Sequence, residues 1–151
     1  MRNLILLKIL FSLLLLGPLV CFAQANGFAY ISNAGSDNVS VFNTATNLPG
    51  AIIPVGTSPV GVSVSPNGSK VYVTNNGSDN VSVISTITNT AVAALPVATG
   101  PGGVAVHPDG NGAYVTRGDE SVSVKKTAAN TCVPPRLAGT GPTGWIVVSV
   151  R

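Results

Sequence analysis

Beyond residue 25 the chain alternates between apolar and polar or small side chains. Val60, Val62 and Val64 interleave with Gly61, Ser63 and Ser65, the period of two that marks a strand with two unlike faces. Pro66-Asn67-Gly68-Ser69 follows as a tight turn, because proline presets one dihedral and Asn-Gly accepts positive φ. Lys70–Asn75 reads as the next strand, Asn76-Gly77-Ser78-Asp79-Asn80 as a second turn and Val81–Ile84 as a third strand. After a turn at Thr88-Asn89-Thr90, Ala91–Val97 completes a set of four. Short strands at about ten-residue spacing with Gly, Pro and Asn between them predict an antiparallel meander. No window outside the first 25 residues holds an apolar repeat near 3.6, so helix is expected to be nearly absent.

The pattern recurs. Tyr30, Tyr72 and Tyr114 lie 42 residues apart, and a phrase travels with them: Ala29-Tyr30-Ile31-Ser32-Asn33, Val71-Tyr72-Val73-Thr74-Asn75, Ala113-Tyr114-Val115-Thr116-Arg117. A fixed period of this length indicates a stacked-unit architecture, with units starting near residues 29, 71 and 113. Thr57-Ser58-Pro59-Val60-Gly61-Val62 returns as Thr99-Gly100-Pro101-Gly102-Gly103-Val104. It returns again, one residue early, as Thr140-Gly141-Pro142-Thr143-Gly144-Trp145. The early return follows from a residue lost in the turn at Gly118-Asp119-Glu120-Ser121. The array therefore opens at the second strand of a unit and closes on a first strand. Such an offset is common where an early strand completes the last sheet of a ring. The last unit is expected to be degenerate. Pro134 and Pro135 stand where Ala91–Val97 has a strand, and Ile146-Val147-Val148 breaks the alternation.

The first 25 residues have a different character. Arg2 and Lys8 precede an apolar stretch from Ile9 to Leu16 interrupted only by Ser12, Gly17-Pro18 ends it, and Ala23-Gln24-Ala25 has the small-residue form of a cleavage site. Residues 1–25 read as a secretory signal peptide, with 26–151 the mature chain. The 15 residues from Ile9 to Ala23 fall short of the roughly 20 a membrane-crossing helix needs. An uncleaved anchor and a lipoprotein are the other two readings, and Val20 before Cys21 counts against the second. Export to the periplasm, cell surface or medium is expected, with no membrane span once the leader is removed. The full chain has a formal charge of +3, but residues 26–151 hold six cations against five acids. The high isoelectric point is thus no sign of nucleic-acid binding, which needs clustered cations on one face. Lys125-Lys126 is the only adjacent pair beyond the leader, and reads as a solvated strand edge that discourages stray pairing. Cys21 leaves with the leader. Cys132 then stands alone, which excludes an internal disulfide and leaves a buried thiol, an intermolecular bridge or a reactive thiol.

The phrases Val71-Tyr72-Val73-Thr74-Asn75, Asn80-Val81-Ser82-Val83-Ile84, Gly56–Val62 and Ser65-Pro66-Asn67-Gly68 together resemble the YVTN β-propeller repeats, from Ala29 to about Val150. The resemblance implies an all-β fold in which each unit is a four-stranded antiparallel blade around a central channel, as in WD40-like rings. It also implies an exported or surface setting. Related propellers bind partners, act as lactonases or form parts of dehydrogenases. Closed propellers use about 4–8 blades, and these residues hold strands for three. An incomplete ring would leave two blade faces bare, each with on the order of 500 Å² of apolar surface for four strands of about five residues. At about 25 cal/mol per Å² that is roughly 12 kcal/mol of unrealised burial per face, as large as a domain's whole net stability of ~5–15 kcal/mol. Two chains could close a six-bladed ring as a homodimer, a partner could cover the ends, or the chain could be a truncated gene product. The degenerate last unit favours the second and third.

Candidate chemistry is sparse. His107 precedes Pro108 at the end of a strand and reads as a turn residue, since no acid recurs where an orienting partner for a general base is needed. Asp37-Asn38 and Asp79-Asn80 are oxygen-rich, as calcium requires, but Asp and Asn also cap turns through their own backbone, and no D-x-D-x-D-G run is present. The sequons at Asn38, Asn67, Asn76 and Asn80 follow from turn composition. Gly100-Pro101-Gly102-Gly103 lacks a phosphate-binding lysine and leads into a strand. Trp145 reads as core filler or an end patch, and Phe28 and Phe42 are the other non-tyrosine aromatics beyond the leader. No catalytic, cofactor-binding or metal-ligating residue is assigned. The expectation is a non-enzymatic module that binds a protein or cell-envelope polymer. The alternatives are a fragment of a propeller enzyme of the lactonase or dehydrogenase type, lacking its catalytic blades, or a truncated product.

Overall fold

The computed structural model describes residues 27–126, 131–137 and 139. The leader, Trp145 and the phrase at 140–145 lie outside them. Eleven strands form three antiparallel sheets. Sheet one contains β1 (Phe28–Asn33), β2 (Asn38–Asn43) and β3 (Leu48–Pro54). Sheet two contains β4 (Pro59–Val64), β5 (Lys70–Asn75), β6 (Asn80–Ser85) and β7 (Thr90–Pro96). Sheet three contains β8 (Pro101–Val106), β9 (Gly112–Arg117), β10 (Ser121–Lys126) and β11 (Thr131–Leu137). Each sheet is a meander in chain order, and the three stack as blades of an incomplete propeller-type ring. Sheet one has three strands because β1 is the counterpart of β5, with no described strand on its inner side.

The period-two pattern decides which side chain faces which neighbour. In β5, Val71 and Val73 point one way and Tyr72 the other. Val71, Val73 and Ile84 pack with Val39, Val41 and Ile53 in the core between sheets one and two. Tyr72, Val81, Val83 and Leu95 pack with Val104, Ala113 and Val115 in the core between sheets two and three. The central blade is therefore covered on both faces, and β5 and β6 are buried along nearly their whole length although half of their residues are polar. Among the described residues, sheet one buries only one face. Ile31 and Ile52, opposite Ser40 from either side, are 47% and 69% exposed on the other.

Hydroxyls join neighbouring blades near the axis. The Thr74 hydroxyl accepts from Gly61 N at 2.8 Å and donates to the Gly102 carbonyl of the next blade at 2.5 Å. One unit earlier, Ser32 Oγ donates to the Val60 carbonyl at 2.8 Å. One unit later, Thr116 Oγ1 accepts from Gly103 N at 2.8 Å. The Thr of the second and third phrases thus accepts from a glycine amide of its own blade, and in the first two units the hydroxyl ties its blade to the next.

Two expectations need correction. Residues 131–137 form a strand despite Pro134 and Pro135. Its pairing with β10 shifts register between Val122 and Val124, so both prolines sit in the irregularity, on an outer strand where a missing N–H is tolerated. The outer strands β3 and β7 carry the same irregularity. Lys125 is not a solvated edge: it is 3% exposed, and its ammonium donates to the Pro96 carbonyl of the neighbouring blade. Cys132 pairs with Lys125 in the β10–β11 ladder.

Candidate functional site

The meander gathers its connections at two ends. At one end lie the β1–β2, β5–β6 and β9–β10 turns, with the β3–β4 and β7–β8 connections beside them. Here the sequence placed its oxygen-rich pairs. Asp37 and Asp79 adopt φ of 54° and 52°, the left-handed turn position that Asp tolerates. Their carboxylates reach 21 residues along the chain. Asp37 Oδ1 accepts from Ser58 N at 2.8 Å, and Asp79 Oδ1 accepts from Gly100 N at 2.9 Å. Their own carbonyls accept from Val55 N and Val97 N. Each aspartate therefore fastens the segment that leads into the next blade.

Behind them, Asn33 Nδ2 donates to Asn38 Oδ1 and Ser40 Oγ, both at 2.8 Å, and Asn75 Nδ2 repeats this with Asn80 Oδ1 at 2.6 Å and Ser82 Oγ at 2.9 Å. Asn75 Oδ1 is buried without a partner among the described residues. In the third unit Arg117 replaces the asparagine. Its Nη2 meets Asp119 Oδ2 at 2.5 Å, and Ser121 Oγ donates to Asp119 Oδ1 at 2.6 Å. The Ser121 hydroxyl, and after it the Arg117 charge, hold the Asp119 carboxyl below its usual 3.8. Glu120 takes the left-handed position, with φ of 65°. The recurring acids and amides thus act on the chain itself. Among the described residues no group of three His, Cys, Asp or Glu side chains is close enough to share a metal ion.

The opposite end carries the β4–β5 and β8–β9 turns and a cleft of about 340 Å³ lined by Ser65, Pro66, Asn67, Lys70, Tyr72 and Asp109. His107 follows β8 at the start of the β8–β9 turn. The sequence reading gave this histidine no acidic partner. The structure supplies one two residues on, with His107 Nδ1 2.6 Å from Asp109 Oδ1. The spacing within His107-Pro108-Asp109-Gly110 was the available signal, since a tight turn brings residues i and i+2 together. The Asp109 carboxyl is held below 3.8 by the Asn111 amide first and His107 after it. The His107 ring also lies 6.4 Å from that of Tyr114. This pair pins a turn. The sequons serve turns and blade contacts: Asn67 Oδ1 accepts from Ser69 N at 3.1 Å, and Asn76 Nδ2 donates to the Pro101 carbonyl at 3.2 Å. A second cleft of about 440 Å³ runs between Pro54-Val55 and Ala91–Ala94, with Ser82 at its floor.

Burial raises the Tyr30 and Tyr72 phenols above 10.0. A raised acid pKa means that the folded state keeps its proton longer than the unfolded one. The contribution is complete below pH 10 and is lost as pH rises through the folded values. Thermal melts at increasing pH are expected to show an alkaline fall in midpoint that is smaller in Tyr72→Phe. An equal fall in both proteins would remove Tyr72 as a source.

No protein-family profile and no curated protein matches the sequence. Solved structures do match. Hydrazine synthase of Kuenenia stuttgartiensis superposes with a TM-score of 0.74 at 27% identity, over 77% of this chain and 34% of that one. A functionally unknown protein of Desulfotomaculum acetoxidans gives 0.64 at 23% identity, over 78% and 42%. Apo AztD of Citrobacter koseri gives 0.64 at 19% identity, over 78% and 34%. Hydrazine synthase and AztD are β-propeller proteins, so the likeness establishes a propeller-type fold. The chain spans less than half the length of each of these three structures.

Proposed function

We propose that the chain is an exported propeller module of the YVTN type that binds a protein or cell-envelope polymer and performs no catalysis of its own. The observation that supports this reading most is where the repeated polar groups go. Asp37, Asp79 and Thr74 bond the chain's own backbone, and Asn33 and Asn75 bond side chains of the next strand. What remains outward is shape and scattered apolar side chains, among them Leu48 at the start of β3 and Ile87 on the β6–β7 turn. Loops held on a rigid scaffold are where recognition concentrates. Export rests on the character of residues 1–25, and the YVTN assignment on the four recurring phrases.

A second reading, a portion of a propeller enzyme, draws on hydrazine synthase, of which the chain spans 34%. One set of measurements separates them. Purified protein is mixed with washed cell envelopes of its source organism and sedimented, alongside metal analysis after dialysis and a lactone-hydrolysis assay. Saturable co-sedimentation with blank metal and hydrolysis results is expected. Stoichiometric metal with turnover, or no retention on envelopes, would reverse the assignment.

A further inference from the structure

We propose that the cleft between the β4–β5 and β8–β9 turns binds a short peptide by its two free ends, with Lys70 taking the carboxylate and Asp109 the ammonium. The cleft lies at the end of the seam between sheets two and three. There Ser63 Oγ accepts from Val106 N at 3.2 Å, and a Cβ on Gly110 would lie 3.9 Å from Pro66 Cδ. The two turns are thus held against each other by the packing of the blades. A volume of about 340 Å³ stands at the small end of ligand pockets, which run to about 300–1,000 Å³. That is the scale of a di- or tripeptide.

The turns are one motif used twice, Pro66-Asn67-Gly68-Ser69 and Pro108-Asp109-Gly110-Asn111. The motif needs only an acceptor at its second position. Asn67 Oδ1 accepts from Ser69 N at 3.1 Å, and Asp109 Oδ1 accepts from Asn111 N at 2.8 Å. An amide serves as well as a carboxylate there, so the charge at Asp109 is surplus to the turn. Its contacts with Asn111 N and His107 both fall on Oδ1. A carboxylate has about four acceptor sites, so capacity remains for a ligand. Lys70 is also particular to this seam, since Gly112 stands in its place in the next unit. It is exposed and forms no ion pair among the described residues.

Opposite charges on facing turns select opposite charges on one ligand. Lys70 and Asp109 both line the cleft but lie too far apart to pair with each other. The ammonium and carboxylate of the ligand must then be separated too, as they are across a peptide unit. Asn67 and Asn111, one on each wall, carry amides that match the donor and acceptor of that unit. A neutral saccharide is the rival occupant, because amides and hydroxyls suit it as well.

The test is a titration of the isotope-labelled full chain followed by amide chemical shifts. Glycylglycine is expected to move the signals of the turns at 65–70 and 107–112. Saturation is expected with a Kd of about 1 mM, the affinity open to so small a ligand. N-Acetylglycylglycine lacks the ammonium and glycylglycinamide lacks the carboxylate. Each should bind about fivefold more weakly, the most that one partly exposed ion pair supplies. Lys70→Gln should weaken glycylglycine to the same extent and leave glycylglycinamide unchanged, with Lys70→Arg restoring the affinity. Asp109→Asn keeps the turn acceptor, as Asn67 does, and should weaken glycylglycine while leaving N-acetylglycylglycine unchanged. A merely structural role would not produce this crossed pattern. The proposal is overturned by an absence of saturation at about 50 mM, far above a millimolar Kd. Equal binding of the doubly capped dipeptide overturns it too, as does saturation by maltotriose in place of glycylglycine. The peptide site does not depend on envelope binding, and sedimentation with envelopes is read separately.

Discussion

Tyr72→Ala is expected to lower the free energy of unfolding by about 3–5 kcal/mol, the range for deleting a large buried aromatic side chain. Tyr72 is 2% exposed and lies in the core between sheets two and three. Blades on both sides hold this core, so it cannot collapse far into the space vacated, and the unfilled volume adds to the lost transfer energy. Tyr30 occupies the same place in sheet one, but it is only half-buried. Its hydroxyl donates to Asn89 Oδ1 at 3.2 Å. Tyr30→Ala should therefore cost distinctly less. Urea unfolding of the two variants beside the parent measures both losses, and equal small losses would contradict the stacking of sheets through these rings.

Gly61→Ala is expected to destabilise by about 1–3 kcal/mol through overpacking. The added methyl would lie 2.6 Å from the Gly102 oxygen, 2.9 Å from Thr74 Oγ1 and 3.1 Å from Val104 N. Two of these three atoms belong to the backbone of the adjacent inner strand, so relief requires the blades to part near the axis. Parting them lengthens the bond from Thr74 to the Gly102 carbonyl, and a strained or broken buried bond adds about 1–3 kcal/mol. Gly35 is the control, because a Cβ there meets nothing within 4 Å. Gly35→Ala should stay within about 0.5 kcal/mol of the parent, as substitutions away from such features do. If the two alanines behave alike in denaturant melts, the inner strands do not approach as closely as described.

Several local features were legible along the chain. Lys70–Asn75 is a strand with the boundaries its alternation predicts, and the turn at Pro66–Ser69 has its positive φ at Gly68. Lys125 was legible too, but only by aligning the third unit through its lost residue. That places the lysine in the column of Ile84, which is buried between blades. Read as one of two adjacent cations, it looked like surface. The His107–Asp109 contact occurs in one turn only, so no pattern recurring between units points to it.

The sequence by itself determined the repeating unit, its strands and the alternation of faces. These depend on local backbone preferences and on a period of two, which are properties of consecutive residues. Only the tertiary structure decided that the Asp37 and Asp79 carboxylates hold amides 21 residues away, that Thr74 bridges two blades, and that sheet one presents a bare edge and face. The first two depend on the packing angle between sheets, which arises from side chains distant in sequence meeting across about 10 Å of core, and the last is a statement about the described residues alone. No local pattern encodes that angle.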